Sequence, residues 1–287
     1  MVWMLLTLAY GVIKGIREIV KKKSLETSGV MEVLFFYTLF GFLFLLAETA
    51  LEPGGFHGIQ GVEARSMGMI AVKSFVIFIA WICGFKAIAK IPVSLYGILD
   101  LSRVIFSMLL GVVVLRETLS PTGIIGLVLV AAGLLMLKLK KSSEPEEAKA
   151  VFVLLAFISS LLNAVSGTMD KILTREVTSA QLQFWYMLFL TLFYGIYLIF
   201  CKEKVQIMRA LKNYWIWILS FLFIVADRAL FMANAIPDSR VTVMTLIKQS
   251  CCIVTILAGK FLFKEKGIAY KLLCAGIVIA GIVIGAL

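Results

Sequence analysis

Charged and hydrogen-bonding side chains recur at helical spacing inside stretches of this chain that are otherwise apolar. Tyr96, Asp100, Arg103, Ser107 and Gly111 follow one another at steps of four and three, which places them in one stripe on a helix face. Thr245, Lys248, Gln249 and Cys252 form a second stripe, with Arg240 nearer the start of the same apolar run. Thr7, Tyr10, Lys14, Arg17 and Glu18 make a third. Ser159, Asn163, Ser166 and Asp170 make a fourth, and Ser220, Asp227, Arg228 and Asn234 a fifth. The chemistry these residues suit is binding. No nucleophile, metal cluster or acid/base pair stands at a recognisable catalytic spacing, so the chain is not expected to be an enzyme. An ionisable side chain near the centre of a membrane helix is unfavourable by about 2.5–3.5 kcal/mol on insertion scales, so it persists where it meets a partner or a watery cavity.

The deeper charges do not balance. Lys14, Arg103, Arg228 and Lys248 stand against Asp100 and Asp227, a surplus of two positive charges. A carboxylate or phosphate on a ligand would neutralise that surplus, and the forked guanidinium of Arg103 or Arg228 suits bidentate capture of such a group. Tyr10 and Tyr96 share helix faces with Lys14 and Asp100, where their hydroxyls can bind a ligand or steady a charge. The candidate substrate-binding set is therefore Tyr10, Lys14, Tyr96, Asp100, Arg103, Asn163, Asp227, Arg228, Lys248 and Gln249. The competing arrangement has these charges satisfying one another in buried pairs without touching any ligand. Lys73 can instead snorkel toward an interface.

Cys83, Cys201, Cys251, Cys252 and Cys274 lack metal-ligand spacing, and His57 is the only histidine, so neither a metal site nor a disulfide framework nor a cofactor is expected. The cysteines read as small apolar filler.

The elements that must carry these stripes are membrane helices. Hydrophobic residues make up 61% of the 287 positions and charged residues 16%, which excludes an ordinary soluble domain. Apolar runs of about 20 residues, the length needed to cross the hydrocarbon, fall near 2–20, 30–50, 67–87, 92–115, 121–137, 150–170, 180–201, 213–235, 239–262 and 267–287. They are far longer than barrel strands, and backbone amides in lipid need internal partners, so the expected fold is an all-α integral membrane protein of ten transmembrane helices. The first run lacks a small-residue cleavage site and is expected to stay.

The chain reads as a duplication. Leu110-Gly111 to Leu115-Arg116-Glu117, ending at Gly133, is echoed 148 positions on by Ala258-Gly259 to Phe263-Lys264-Glu265, ending at Gly281. Phe35 to Phe40 is echoed 149 positions on by Phe184 to Phe189. The expected organisation is a first five-helix repeat over 1–137, a charged linker over 138–149 and a second five-helix repeat over 150–287. The offset of 148 also sets Asp100 against Lys248 as candidates for a pair across the symmetry axis.

Repeats with an odd number of spans insert in opposite senses. Lys21, Lys22, Lys23, Lys86, Lys90, Lys138, Lys140, Lys141, Lys149, Lys202, Lys204, Arg209, Lys212, Lys260, Lys264 and Lys266 gather on one side. The other side has Arg65, Arg116, Lys171, Arg175 and Arg240. The net charge of +11 is thus mostly a topology signal rather than a nucleic-acid footprint. By this bias the linker is cytoplasmic and both termini are outside.

Val113 to Pro121, followed by Gly126 and Ala132-Gly133, resembles the signature that closes each repeat of EamA-type transporters in the drug/metabolite transporter superfamily. Phe263-Lys264-Glu265-Lys266, followed by Gly276 and Gly281, resembles its second copy. The resemblance implies secondary transport of small metabolites through a central cavity lined by helices 1, 3, 4, 6, 8 and 9, with helices 5 and 10 peripheral. It also implies cytoplasmic termini, opposite to the charge bias. The glycines of helices 5 and 10, namely Gly123, Gly126, Gly133, Gly276, Gly281 and Gly285, read first as close helix contacts. Glu117 and Glu265 read as caps or ion-pair partners. Trp3, Trp81, Trp185, Tyr186, Tyr214, Trp215 and Trp217 read as an interfacial belt.

The expected function is a multi-pass secondary transporter of the cell membrane that moves a small anionic or zwitterionic metabolite, such as an amino acid, a sugar phosphate or a lipid-linked head group, by alternating access. The alternatives are a proton-coupled exporter of cationic drugs, weakened because the first span offers Lys14 where such exporters use a glutamate, and a non-transport enzyme or assembly subunit. The expected partners are a small-molecule substrate, the lipid bilayer and a coupling proton or counter-substrate, without nucleic acid, in a monomer or homodimer.

Overall fold

A computed structural model describes residues 2–51, 55–115, 121–139, 146–200, 206–236, 244, 247–248, 250–265 and 267–286, and the fold is stated for these. All regular structure among them is helical. In chain order the elements are α1 Val2–Ser24, α2 Val30–Leu51, a short 3-10 turn Gly55–Ile59, α3 Ala64–Lys90, α4 Val93–Asp100 and α5 Ser102–Leu115. They continue with α6 Pro121–Leu139, α7 Glu146–Leu173, α8 Ser179–Phe200, α9 Ile207–Lys212, α10 Tyr214–Ala235, α11 Ser250–Phe261 and α12 Ile268–Ala286.

The sequence marks many of these ends. Pro121 opens α6, where its missing N–H is no loss. Thr178 and Gln181 form a capping box at α8, each accepting the other's backbone N–H, at 2.9 and 3.2 Å. Asn213 caps α10 by accepting the Trp215 N–H. Its amide also donates to the Ser24 carbonyl, Thr27 and Ser28, tying α10 to the end of α1.

Among the described residues six stretches are long and apolar enough to cross a membrane: Val30–Leu51, Ala64–Lys90, Val93–Leu110, Ala150–Leu173, Ser179–Phe200 and Tyr214–Ala233. Pro121–Gly133, Cys251–Phe261 and Ile268–Gly281 are shorter apolar helices. The first helix does not join the six because Lys14, Arg17 and Glu18 interrupt its apolar run, although it is 23 residues long. The stretch expected as one helix near 92–115 is broken at Leu101, directly after Asp100.

Helices α6 and α12 pack along one another, α1 runs along α10 and α11, and α7 runs along α3, α4 and α5. Helix α2 touches α8 and α10, α3 touches α8, and α4 touches α11. The largest buried cluster is aromatic-rich and is centred between α2, α3, α8 and α10, where Tyr37, Trp81 and Phe223 meet edge to face or tilted.

Close approach explains several glycines. A Cβ on Gly133 would lie 2.6 Å from Val278 and 3.0 Å from the Cys274 carbonyl. A Cβ on Gly281 would lie 2.8 Å from the Gly126 carbonyl and 2.9 Å from the Val130 nitrogen. Each helix thus presents its glycine to the other's backbone. Gly276 departs from the expectation, because its Cβ position meets nothing within 4 Å. Gly281→Ala should lower the melting temperature of the detergent-solubilised protein, by the equivalent of about 1–3 kcal/mol, because backbone atoms must move. Gly276→Ala should leave it unchanged or raise it slightly.

Candidate functional site

A cavity of about 920 Å³ runs between the two halves of the bundle. Its walls come from α1, α2, α3, α4, α5, α7, α8, α10 and Lys248. Thr174, Arg175, Val177 and Thr178, at the connection between α7 and α8, line one end. Arg175 and Thr178 are exposed there, so that end is the mouth. The opposite end is bounded by Glu18, Lys21, Phe85 and Tyr96, all buried.

Two charge clusters face this space. In the first, Asp100 Oδ2 accepts from Lys14 Nζ at 2.5 Å and Asp100 Oδ1 from Arg103 Nη2 at 3.0 Å. The carboxylate sits behind the two cations, which line the cavity while Asp100 does not. Lys248 stands beside them with its Nζ 5.8 Å from the Tyr10 ring centroid, and among the described residues it has no ion-pair partner. Among the described residues the Tyr10 hydroxyl makes no hydrogen bond and the buried Arg103 Nε has no hydrogen-bond partner.

The second cluster joins α1, α2, α3, α7 and α10. Arg17 reaches Asp227 at 3.5 Å, donates to the Tyr37 hydroxyl at 3.0 Å and lies 4.6 Å from the Phe223 ring centroid. Lys73 meets Asp170 at 3.1 Å and lies 3.7 Å over the Tyr186 ring. A cation over an aromatic face gains electrostatic attraction without a counter-charge, which helps to hold these side chains in an apolar bundle.

Beyond the closed end, side chains from both halves tie connections together. Lys22 donates to the carbonyls of Ile88 and Ile91 at 2.6 and 2.8 Å, satisfying acceptors at the C-terminus of α3. Glu265, between α11 and α12, accepts from the Val93 N–H at 2.8 Å and from the Ser94 hydroxyl, and pairs with Lys271 at 2.9 Å. It caps the N-terminus of α4, where a carboxylate complements the unsatisfied N–H groups. Its expected counterpart, Glu117, lies outside the described residues.

Of the residues expected from sequence, Tyr10, Lys14, Tyr96, Arg103, Asn163, Asp227 and Lys248 line the cavity, with Asp100 behind Lys14 and Arg103. Gln249 lies outside the described residues, as do Arg240 and Thr245. Arg228 is not part of the lining and pairs with Glu48 of α2 at 2.7 Å. The expected pairing of Asp100 with Lys248 is replaced by pairings with Lys14 of α1 and with Arg103. Thr7 and Ser220 donate to carbonyls four residues back on their own helices.

Lys73 does not snorkel. Its side chain is 3% exposed and held by Asp170. Trp81 and Tyr186 belong to the cavity wall rather than to an interfacial belt, whereas Tyr214 and Trp217 are exposed. Arg17, Lys73, Asp170 and Tyr37 are site-lining residues missing from the sequence-derived set. Arg17 and Asp170 did lie on recognised polar stripes; Tyr37 had no signal beyond a repeated aromatic string.

Long apolar helices around a charge-lined cavity define a multi-pass integral membrane protein. Residues 1–139 match the model of the EamA-like transporter family, which places the protein in the drug/metabolite transporter superfamily and implies a membrane transporter. No curated protein matches the chain in sequence. Its backbone matches 28 solved chains. One, described only as "Crystal structure of protein", has a TM-score of 0.62 and 13% identity over 98% of this chain and 95% of that one, a likeness of fold alone.

The pairings set an order of stability effects. Asp100→Asn leaves Lys14, Arg103 and Lys248 together without a counter-charge and should destabilise the protein by about 3–5 kcal/mol. Lys248→Met removes a cation that has no ion-pair partner among the described residues and should be neutral or stabilising. Thermal unfolding of the two variants in one detergent checks this order, and equal losses would contradict it.

Proposed function

We propose that the protein is a secondary transporter that moves a small anionic or zwitterionic metabolite across the cell membrane by alternating access. The observation that carries this reading is the cavity's charge. Lys14, Arg17, Lys73, Arg103 and Lys248 face three carboxylates, Asp100, Asp170 and Asp227, which leaves two positive charges over. The members differ from those expected from sequence, but the surplus is the same. A ligand anion neutralises it, and Lys171 and Arg175 near the mouth extend the attraction outward. A cationic cargo meets repulsion instead. Asp170 and Asp227, in the otherwise neutral second cluster, suit the ammonium of a zwitterion.

The chain is organised, on this reading, as ten spans in two inverted five-helix repeats joined by the linker 138–149. The contact pattern supports it. Exchanging each span of one half for its counterpart maps α1 with α10 onto α7 with α3, and α1 with α11 onto α7 with α4 and α5. The same exchange maps α2 with α10 onto α8 with α3. The contacts of α2 with α8, α4 with α11 and α6 with α12 map onto themselves. A cavity open at one face and tied shut at the other by Lys22 and Glu265 is one of the two end states that alternating access requires.

Purified protein in liposomes is expected to take up an anionic metabolite, driven by its own gradient or by a proton or counter-substrate gradient. Arg103→Ala and Lys248→Ala should each reduce uptake at least about tenfold, a loss of one charge-assisted contact, while eluting as folded protein. Normal uptake by both variants removes the proposed site.

A further inference from the structure

The ion pairs balance one of the two clusters and leave the other short of anions. Arg17 and Lys73 are matched by Asp227 and Asp170, so the second cluster is neutral. Lys14, Arg103 and Lys248 have Asp100 alone, so the first carries two positive charges among the described residues. Its unused donors come from separate elements: the Tyr10 hydroxyl from α1, Arg103 Nε from α5, and the Lys248 ammonium. Lys248, beside the Tyr10 ring, feels Arg103 and Lys14 of this cluster and also Asp170 and Asp227 of the other, so it stands between the two.

We infer that this cluster binds a dianionic phosphate monoester, its phosphoryl oxygens taken by Tyr10, Arg103 and Lys248. This rests on the transporter reading above and narrows its substrate class. A single carboxylate brings one negative charge and two oxygens, and it leaves one cation uncompensated in an apolar surround. A phosphate monoester brings about −1.5 to −2 charge and three strong acceptor oxygens, which matches both the surplus and the donors. Tyr37, Trp81 and Phe223 on the opposite wall offer ring faces and edges to the organic part. The mouth opens among the exposed Arg175, Glu176 and Thr178, so the ester is a water-soluble one rather than a lipid.

Phenyl phosphate and phenyl sulfate test the charge, because they share a shape and differ by one charge. Calorimetric titration of the purified full-length protein at pH 7.5 should give at least about tenfold tighter binding for the phosphate, the gain from one further charge near a cation cluster of intermediate dielectric. Lys248→Met should bring the two esters within about threefold of each other, and Lys248→Arg should restore the preference. Equal or tighter binding of the sulfate by the native protein overturns the inference, a comparison that needs no variant. Retention of the full preference in Lys248→Met overturns it as well, as does tenfold tighter binding of dihexanoyl phosphatidic acid than of phenyl phosphate. If benzoate and phenyl sulfate bind as tightly as phenyl phosphate and drive uptake, the phosphate assignment falls and the transporter reading stands. If no anion binds and none is taken up, both fall.

Discussion

Buried charge in an apolar bundle is the constraint on which the rest depends. Asp100 cannot sit in this environment alone, and its two cations come from different elements, Lys14 from α1 and Arg103 from the turn of helix just after the break. The pairing therefore fixes α1 against the junction of α4 and α5. The same logic holds across the cavity, where Arg17 of α1 reaches Asp227 of α10 and Lys73 of α3 reaches Asp170 of α7. Each pair joins helices from different halves or from the two sides of the cavity. Removing one partner strands the other in low dielectric, which is far less favourable than losing an exposed ion pair.

Packing without charge completes the frame. Lipid tails are as apolar as leucine, so helix association relies on close fit. Gly133 and Gly281 let α6 and α12 meet backbone to backbone, Gly15 lets α1 approach Val254 and the Cys251 carbonyl of α11, and Gly97 makes room on α4 for the Thr255 side chain of α11. These contacts stand off the cavity or beneath it, which leaves the polar stripes free to face inward.

Much of this was legible in the residues, and what was not has physical causes. Helical spacing identified the stripes because a side chain's face follows from its position along the helix, and Tyr10, Lys14, Tyr96, Arg103, Asn163, Asp227 and Lys248 all reach the cavity. The glycine echo at Gly133 and Gly281 marked a true contact for a similar reason, since a repeated small residue in a membrane helix records where backbones touch. Partners were not legible. The offset that sets Asp100 against Lys248 gives equivalent positions under symmetry, and equivalence does not make two side chains neighbours. Asp227 and Arg228 read as one polar site, yet consecutive residues on a helix point about 100° apart, so one faces the cavity and the other faces Glu48. Lys73 read as a snorkelling residue because its apolar run offers no partner within the same helix; Asp170 comes from α7. Aromatic rings near helix ends gave no signal to separate wall from belt.

The break at Leu101 links the closed face to the charge cluster. Helix α4 is only eight residues, about 12 Å at 1.5 Å per residue. Its first N–H, that of Val93, and the Ser94 hydroxyl are held by Glu265, and its last residue is Asp100. A helix of that length has no room to bend, so it moves as a rod, and displacement of Asp100 toward or away from Lys14 must appear at the cap unless the turn at Leu101 absorbs it. Leu101 keeps near-helical dihedrals, with φ −63° and ψ −22°, and accepts the Val104 N–H at 3.0 Å, so the junction is tight rather than slack. The carboxylate that organises the cavity and the carboxylate that ties the far face thus act on opposite ends of one short element.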